Sequence, residues 1–243
     1  MARLETMLIL TFWVLASLLI VNGNCIAQDI PVREDVNITQ LPLENVRIEE
    51  ETIEQLFSHF SFAYNIPLGL EVAKGDDGPT LYKIDFKTGT LSDLLTQFVR
   101  KHEKYAWQIE NGVVSVFPKE DYRDPVLREV LVTEINSFSV APGTSTWTFG
   151  KRLLDAPEIK RILKRYEMTY DAPYLGGFYI QQLGQQYSFT VSRMPLKAIL
   201  DKVAKESPVV RNWSISNMPA NQKLFLRVNA HSENRSQSSS APQ

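Results

Sequence analysis

From Tyr82 to Phe117 the polar and apolar positions predict a strand, a helix and two further strands. Tyr82, Ile84 and Phe86 alternate with Lys83, Asp85 and Lys87, and an apolar side chain at every second position marks a strand with one face buried. Thr90 and Asp93 then have the spacing at which each side chain bonds the other's backbone N–H at a helix start. Leu91, Leu94, Leu95, Phe98 and Val99 follow at offsets 0, 3, 4, 7 and 8, a single stripe on a helix of 3.6 residues per turn. Tyr105, Trp107 and Ile109 form the next strand, Asn111-Gly112 supplies the positive φ angles of a tight turn, and Val113, Val114, Val116 and Phe117 return.

The same order recurs further on. Tyr187, Phe189 and Val191 stand before Leu196 at the distances at which Tyr82, Ile84 and Phe86 stand before Leu91. Leu196, Ile199, Leu200, Val203 and Ala204 repeat the helical offsets, with Pro195 at a first helical turn. Trp213 and Ile215 match Trp107 and Ile109, and Leu224, Leu226 and Val228 make the last strand. Upstream, Ile53, Leu56, Phe57 and Phe60 with Pro67 pair with Ile159, Ile162, Leu163 and Tyr166 with Pro173. The expected fold class is α+β: two repeated small domains, each helix-strand-strand-helix-strand-strand, their sheets covered by helices.

The flanks refine this division. An apolar run from Met7 to Val21 follows Arg3 and precedes Cys25-Ile26-Ala27, the pattern of a secretory signal cleaved after Ala27. Its length is below the ~20 residues of a spanning helix, so periplasmic or secreted export is expected, with no stable transmembrane span after cleavage. The chain then divides into a signal over 1–27, an extended entry segment over 28–44, a first domain over 45–118, a linker or added strand over 119–139, a second domain over 140–230 and a Ser-rich, disordered tail over 231–243. Val46 and Ile48 suggest a short strand, Val126 to Val140 reads as strand, and Trp147 with Phe149 as another. Glu49, Glu50, Glu51 and Glu54 are expected to load the start of the first helix, where its dipole favours negative charge.

The segments Tyr82-x-Ile84-x-Phe86, Thr90-Leu91-Ser92-Asp93-Leu94-Leu95 and Trp107-x-Ile109-x-Asn111-Gly112-x-Val114 resemble the short N-terminal domain of secretins and TonB-dependent receptors. The likeness covers Val46 to Phe117, and Val140 to Val228 less closely, since Met194-Pro195-Leu196 replaces the Thr-Leu start. The resemblance implies a periplasmic packing or signalling module without catalytic residues. It implies protein contacts, with an envelope protein or by self-association through edge strands. No secretin pore or receptor barrel follows in this sequence.

Composition narrows the chemistry. A hydrophobic content of 44% and a formal net charge of −2 fit a globular chain with no general attraction to nucleic acid. His59 and His102 lack a second ligand at metal spacing, and His102 falls on the buried stripe as a packing residue. Asp76-Asp77-Gly78-Pro79 reads as a turn rather than a calcium loop. Neither Gly-x-Ser-x-Gly nor His-Glu-x-x-His occurs, so no catalytic residue, cofactor or metal is expected. An envelope hydrolase with paired carboxylates and a glycan binder with exposed aromatics are the alternatives. The candidate interaction face is Lys160, Arg161, Lys164 and Arg165, at i, i+1, i+4 and i+5 opposite the apolar stripe of the second-half helix, where charge would set orientation and on-rate.

Overall fold

The computed structural model describes residues 38–76, 80–171, 181–218 and 222–230. The signal and tail assignments, Pro173, and Asp77 to Pro79 of the turn lie outside the described residues. The fold is mixed α+β. In chain order its strands and helices are β1 (Pro42–Glu51), α1 (Ile53–Tyr64), β2 (Leu68–Glu71), β3 (Tyr82–Thr90), α2 (Leu91–Lys101), β4 (Tyr105–Glu110), β5 (Val113–Pro118), α3 (Pro125–Val132), β6 (Glu134–Val140), α4 (Thr146–Leu154), α5 (Pro157–Arg165), β7 (Thr169–Asp171), β8 (Phe189–Pro195), α6 (Leu196–Glu206), β9 (Val210–Met218) and β10 (Lys223–Ala230).

Local chemistry accounts for the best-read elements. On β3, Tyr82, Ile84 and Phe86 are buried and Lys83, Asp85 and Lys87 exposed. Thr90 and Asp93 form the expected reciprocal cap: Asp93 N–H donates to Thr90 Oγ1 at 3.2 Å and Thr90 N–H to Asp93 Oδ2 at 2.9 Å. Asn111 and Gly112 take φ 55° and 79°, so β4 and β5 close as a two-residue hairpin. A second, unforeseen box joins Thr52 and Gln55 at the start of α1.

Strand pairing follows one scheme in both halves. β1 pairs with β3 and β6 with β8, both antiparallel. β4 with β5, and β9 with β10, are antiparallel, while β2 beside β5 and β7 beside β10 are parallel. Each half therefore begins with a strand, β1 or β6, ahead of the expected order.

One further pairing, β2 parallel to β9, fuses the two three-stranded sets into a six-stranded sheet ordered β4-β5-β2-β9-β10-β7. Its register puts Leu68 beside Asn212, Gly69 beside Trp213 and Leu70 beside Ser214, and neighbours in register share a face. Leu68 and Leu70 belong to the first-half core, Trp213 and Ile215 to the second. The two cores thus occupy opposite faces of one sheet. A Cβ on Gly69 would lie 2.4 Å from Trp213 Cζ2, so the indole rests on bare backbone, and its Nε1 donates to Asp201 Oδ1 at 3.0 Å.

Several expectations need correction. Asp124 caps α3 through the N–H groups of Val126 and Leu127, with Pro125 at the first turn, so the first part of the expected strand from Val126 to Val140 is helix. Val126, Leu127, Val130 and Leu131 form its buried stripe. Trp147 and Phe149 lie on α4, not a strand, because Ser145 accepts from Thr148 N–H and opens a helix there. Glu49, Glu50 and Glu51 belong to β1, leaving Glu54 as the acidic residue of the first turn of α1. Pro67 immediately precedes β2. Tyr166 follows α5 and is 38% exposed rather than a member of the buried stripe.

Candidate interaction surface

The four predicted residues are exposed on α5, whose Ile159, Ile162 and Leu163 are buried. Their charges are not equally free. Lys160 Nζ pairs with Asp155 Oδ1 at 2.7 Å and Arg165 Nη1 with Glu129 Oε1 at 2.6 Å. Arg161 donates to the Pro157 carbonyl at 3.3 Å, and neither it nor Lys164 makes an ion pair among the described residues. Bonds from Lys151, Lys160 and Tyr170 hold the Asp155 carboxyl well below the usual carboxylate range, so the pair persists across neutral pH. On the first-half helix, Glu54 of α1 pairs with Arg227 of β10 at 3.5 Å.

Arg165 leads to a feature the pattern missed. Glu129, its partner, projects from α3 and also accepts from Tyr166 Oη at 3.1 Å. Glu129 lines a groove of about 310 Å³ together with Glu120, Arg123, Pro125, Arg128 and Val132. Val132 is 61% exposed at its edge. The acids and bases are internally matched: Arg128 with Glu120, and Arg123 with the buried Glu71 through Nε at 2.9 Å and Nη2 at 2.7 Å. Burial raises the Glu71 carboxyl pKa even though Arg123 opposes the shift. Asp124 is tied to Asn217 of β9 at 2.7 Å. Strand β2 through Glu71 and strand β9 through Asn217 therefore fix the foot of α3, and the groove rests on the joint between the halves. The signal for α3 was legible in Asp124-Pro125 and the i, i+1, i+4, i+5 apolar spacing; the Glu71–Arg123 pair, made across the fold, was not.

A second polar cluster lies in the first half. The Asp76 carboxylate accepts from Lys104, Tyr82 and Tyr105, the last at 2.7 Å, and Tyr105 Oη accepts from Ala73 N–H at 3.1 Å. Burial works to raise the Asp76 pKa, but these bonds outweigh it and hold the group below its ordinary value. The two phenols are pushed upward, chiefly by burial. With both oxygens of Asp76 engaged, the cluster fastens the chain after β2 to β3 and β4. His102 packs against Tyr82 and Phe98 at centroid distances of 4.8 and 4.6 Å, and burial lowers its pKa.

Among the described residues no helix is long and apolar enough to cross a membrane. Comparison with family models and with curated proteins finds no match to this chain.

Proposed function

We propose that this chain is an exported, non-enzymatic protein-binding module of the bacterial cell envelope, built from two copies of a domain of the secretin and TonB-receptor N-terminal type. The leader pattern, the Thr90 to Val114 motifs and the common pairing scheme of the two halves support this reading. The observation that carries it is the α3–α5 surface. An apolar edge at Val132 and Pro125 adjoins a basic helix face on which Arg161 and Lys164 have no acidic partner among the described residues. The occupant that fits is an acidic segment of an envelope protein with an apolar anchor: charge steers the encounter and the groove retains the anchor.

Lys160 and Arg165 hold internal ion pairs, so Arg161→Glu with Lys164→Glu is the cleaner reversal. Association of the full chain with its partner in envelope extract should slow and lose salt dependence, since long-range attraction between exposed charges is screened by ions. Val132→Asp should leave the on-rate steep in salt but shorten the lifetime of the complex. Unchanged partners, rates and salt dependence in all variants would sink the proposal.

A further inference from the structure

The β2–β9 joint is heterologous, because the two strands occupy different places in their halves. β2 is the strand beside β5, whereas β9 is the first strand of its hairpin. Joining them consumes one edge of each half and leaves the counterparts at opposite ends of the sheet, β4 and β7.

The unused edge of β4 matches the used edge of β9 residue by residue. Lys119 N–H donates to the Lys104 carbonyl at 2.8 Å, which sets the phase of the antiparallel ladder. Ala106, Gln108 and Glu110 then turn their backbone groups toward β5, and Trp107 and Ile109 turn theirs away. In the second half, Val72 N–H donates to the Ile215 carbonyl at 3.0 Å, so the equivalent pair, Trp213 and Ile215, is the one that faces β2. On β7, Thr169 N–H donates to the Gln222 carbonyl at 2.9 Å, and Tyr170 N–H and C=O therefore face outward. Nor is β4 guarded. The β1–β3 ribbon exposes Arg47, Glu49, Lys83, Asp85 and Lys87, the charges that ordinarily blunt an edge, while β4 carries one charge, Glu110 at its end, paired with Lys197 at 2.9 Å, and neither a basic residue nor a proline.

We propose that the β4 edge binds β7 of a second copy of this chain, in parallel, as β9 binds β2 within one chain. This rests on the protein-binding reading above and names one partner as the chain itself. A head-to-tail contact of this kind grows into a ring if its rotation closes and a filament if it does not.

Two prolines test it on the full chain by sedimentation across a concentration series. Ile109→Pro removes the outward N–H of β4 and Tyr170→Pro that of β7; both bonds to the neighbouring strand survive, since each lost donor faces away from it. Wild type should exceed the mass of one chain as concentration rises, and each variant alone should not. The two variants mixed should form dimers and nothing larger, because each supplies the edge that the other lacks. A monomeric wild type, a variant that associates as wild type does, or a mixture that stays monomeric overturns the proposal.

Should a proline variant fail to fold, hydrogen exchange of wild type decides. The Trp107 and Ile109 amides should slow about tenfold or more from dilute to concentrated protein while the Gln108 amide does not change, and equal behaviour of all three overturns the edge. A monomeric wild type that still captures an envelope partner through Arg161 and Lys164 refutes self-association and leaves the protein-binding reading standing.

Discussion

Gly69→Ala should destabilise the whole chain, although the backbone of a buried strand gives no reason for it. Gly69 lies in β2 with no positive φ to protect, and glycine to alanine at a compatible site would stabilise by ~0.4–1 kcal/mol through the unfolded state. The geometry reverses that sign. The new methyl would sit 2.4 and 2.5 Å from Trp213 Cζ2 and Cε2, far inside van der Waals contact, and Trp213 is 2% exposed with nowhere to retreat. Overpacking of this kind costs ~1–3 kcal/mol. If the ring moves, it also strains or breaks the 3.0 Å bond to Asp201, and a buried acceptor left short costs ~1–3 kcal/mol. The expected loss is about 2–4 kcal/mol, a large share of the ~5–15 kcal/mol of a typical domain. Urea titration by circular dichroism measures it, and Trp213→Leu supplies the second arm of a cycle. With the indole gone, Gly69→Ala should cost much less than in wild type, since contacting residues are not additive. A neutral or stabilising Gly69→Ala, or a cycle that sums, would refute the account of the joint.

Further outcomes follow from burial and charge. Leu95→Ala and Leu200→Ala, at 0% and 1% exposure in the two cores, should each cost ~2–5 kcal/mol, while Lys164→Ala on the exposed face of α5 should cost little; calorimetric melting of the three variants checks this. For Asp76, the folded pKa lies below the ordinary value of 3.8, so the unfolded chain binds more protons in that window and the stabilisation, present above it, fades as pH falls through the folded pKa. Asp76→Asn should therefore destabilise clearly at pH 7, with a gap from wild type that narrows below about pH 4; a gap constant from pH 7 to pH 3 would show that the charge on Asp76 contributes nothing.

The individual elements were legible where local and tertiary demands coincide. Around Thr90 a cap, an apolar stripe and an alternating strand all point the same way, and the structure obeys each. From Val126 to Val140 two readings competed. Val126, Leu127, Val130 and Leu131 fit a strand by composition and a helix by spacing, and the Asp124-Pro125 cap decides for helix because it satisfies two N–H groups that a strand would have left to a neighbour. Trp147 and Phe149 misled for the same reason: alternation over three residues is too short to outweigh the Ser145 cap. At Glu49 to Glu51 the error lay in a boundary, since β1 continues to Glu51 and Thr52, not the acidic run, opens the helix. Of the candidate interaction surface, the basic face was readable, whereas its partial neutralisation by Asp155 and Glu129 and the groove beside it depend on how α3 packs.

What no spacing discloses is the joint itself. Read alone, β9 is a strand with Trp213 and Ile215 on its buried side and Asn212, Ser214 and Ser216 on a polar side meant for water. All three polar residues are buried, at 3–4% exposure. They face the first-half core beside Leu68 and Leu70, where Ser61 of α1 donates to the Arg211 carbonyl at 3.1 Å. A polar strand face is thus spent on an internal contact, and the flat residue Gly69 on its partner admits the indole of the opposite face. β4 has no such burial on its outer side and carries the same aromatic and aliphatic pair, whose backbone groups meet no strand among the described residues. The two strands share the outward pair but differ in what covers it: β2 lies along Trp213 and Ile215, and along Trp107 and Ile109 a second copy would supply the neighbour.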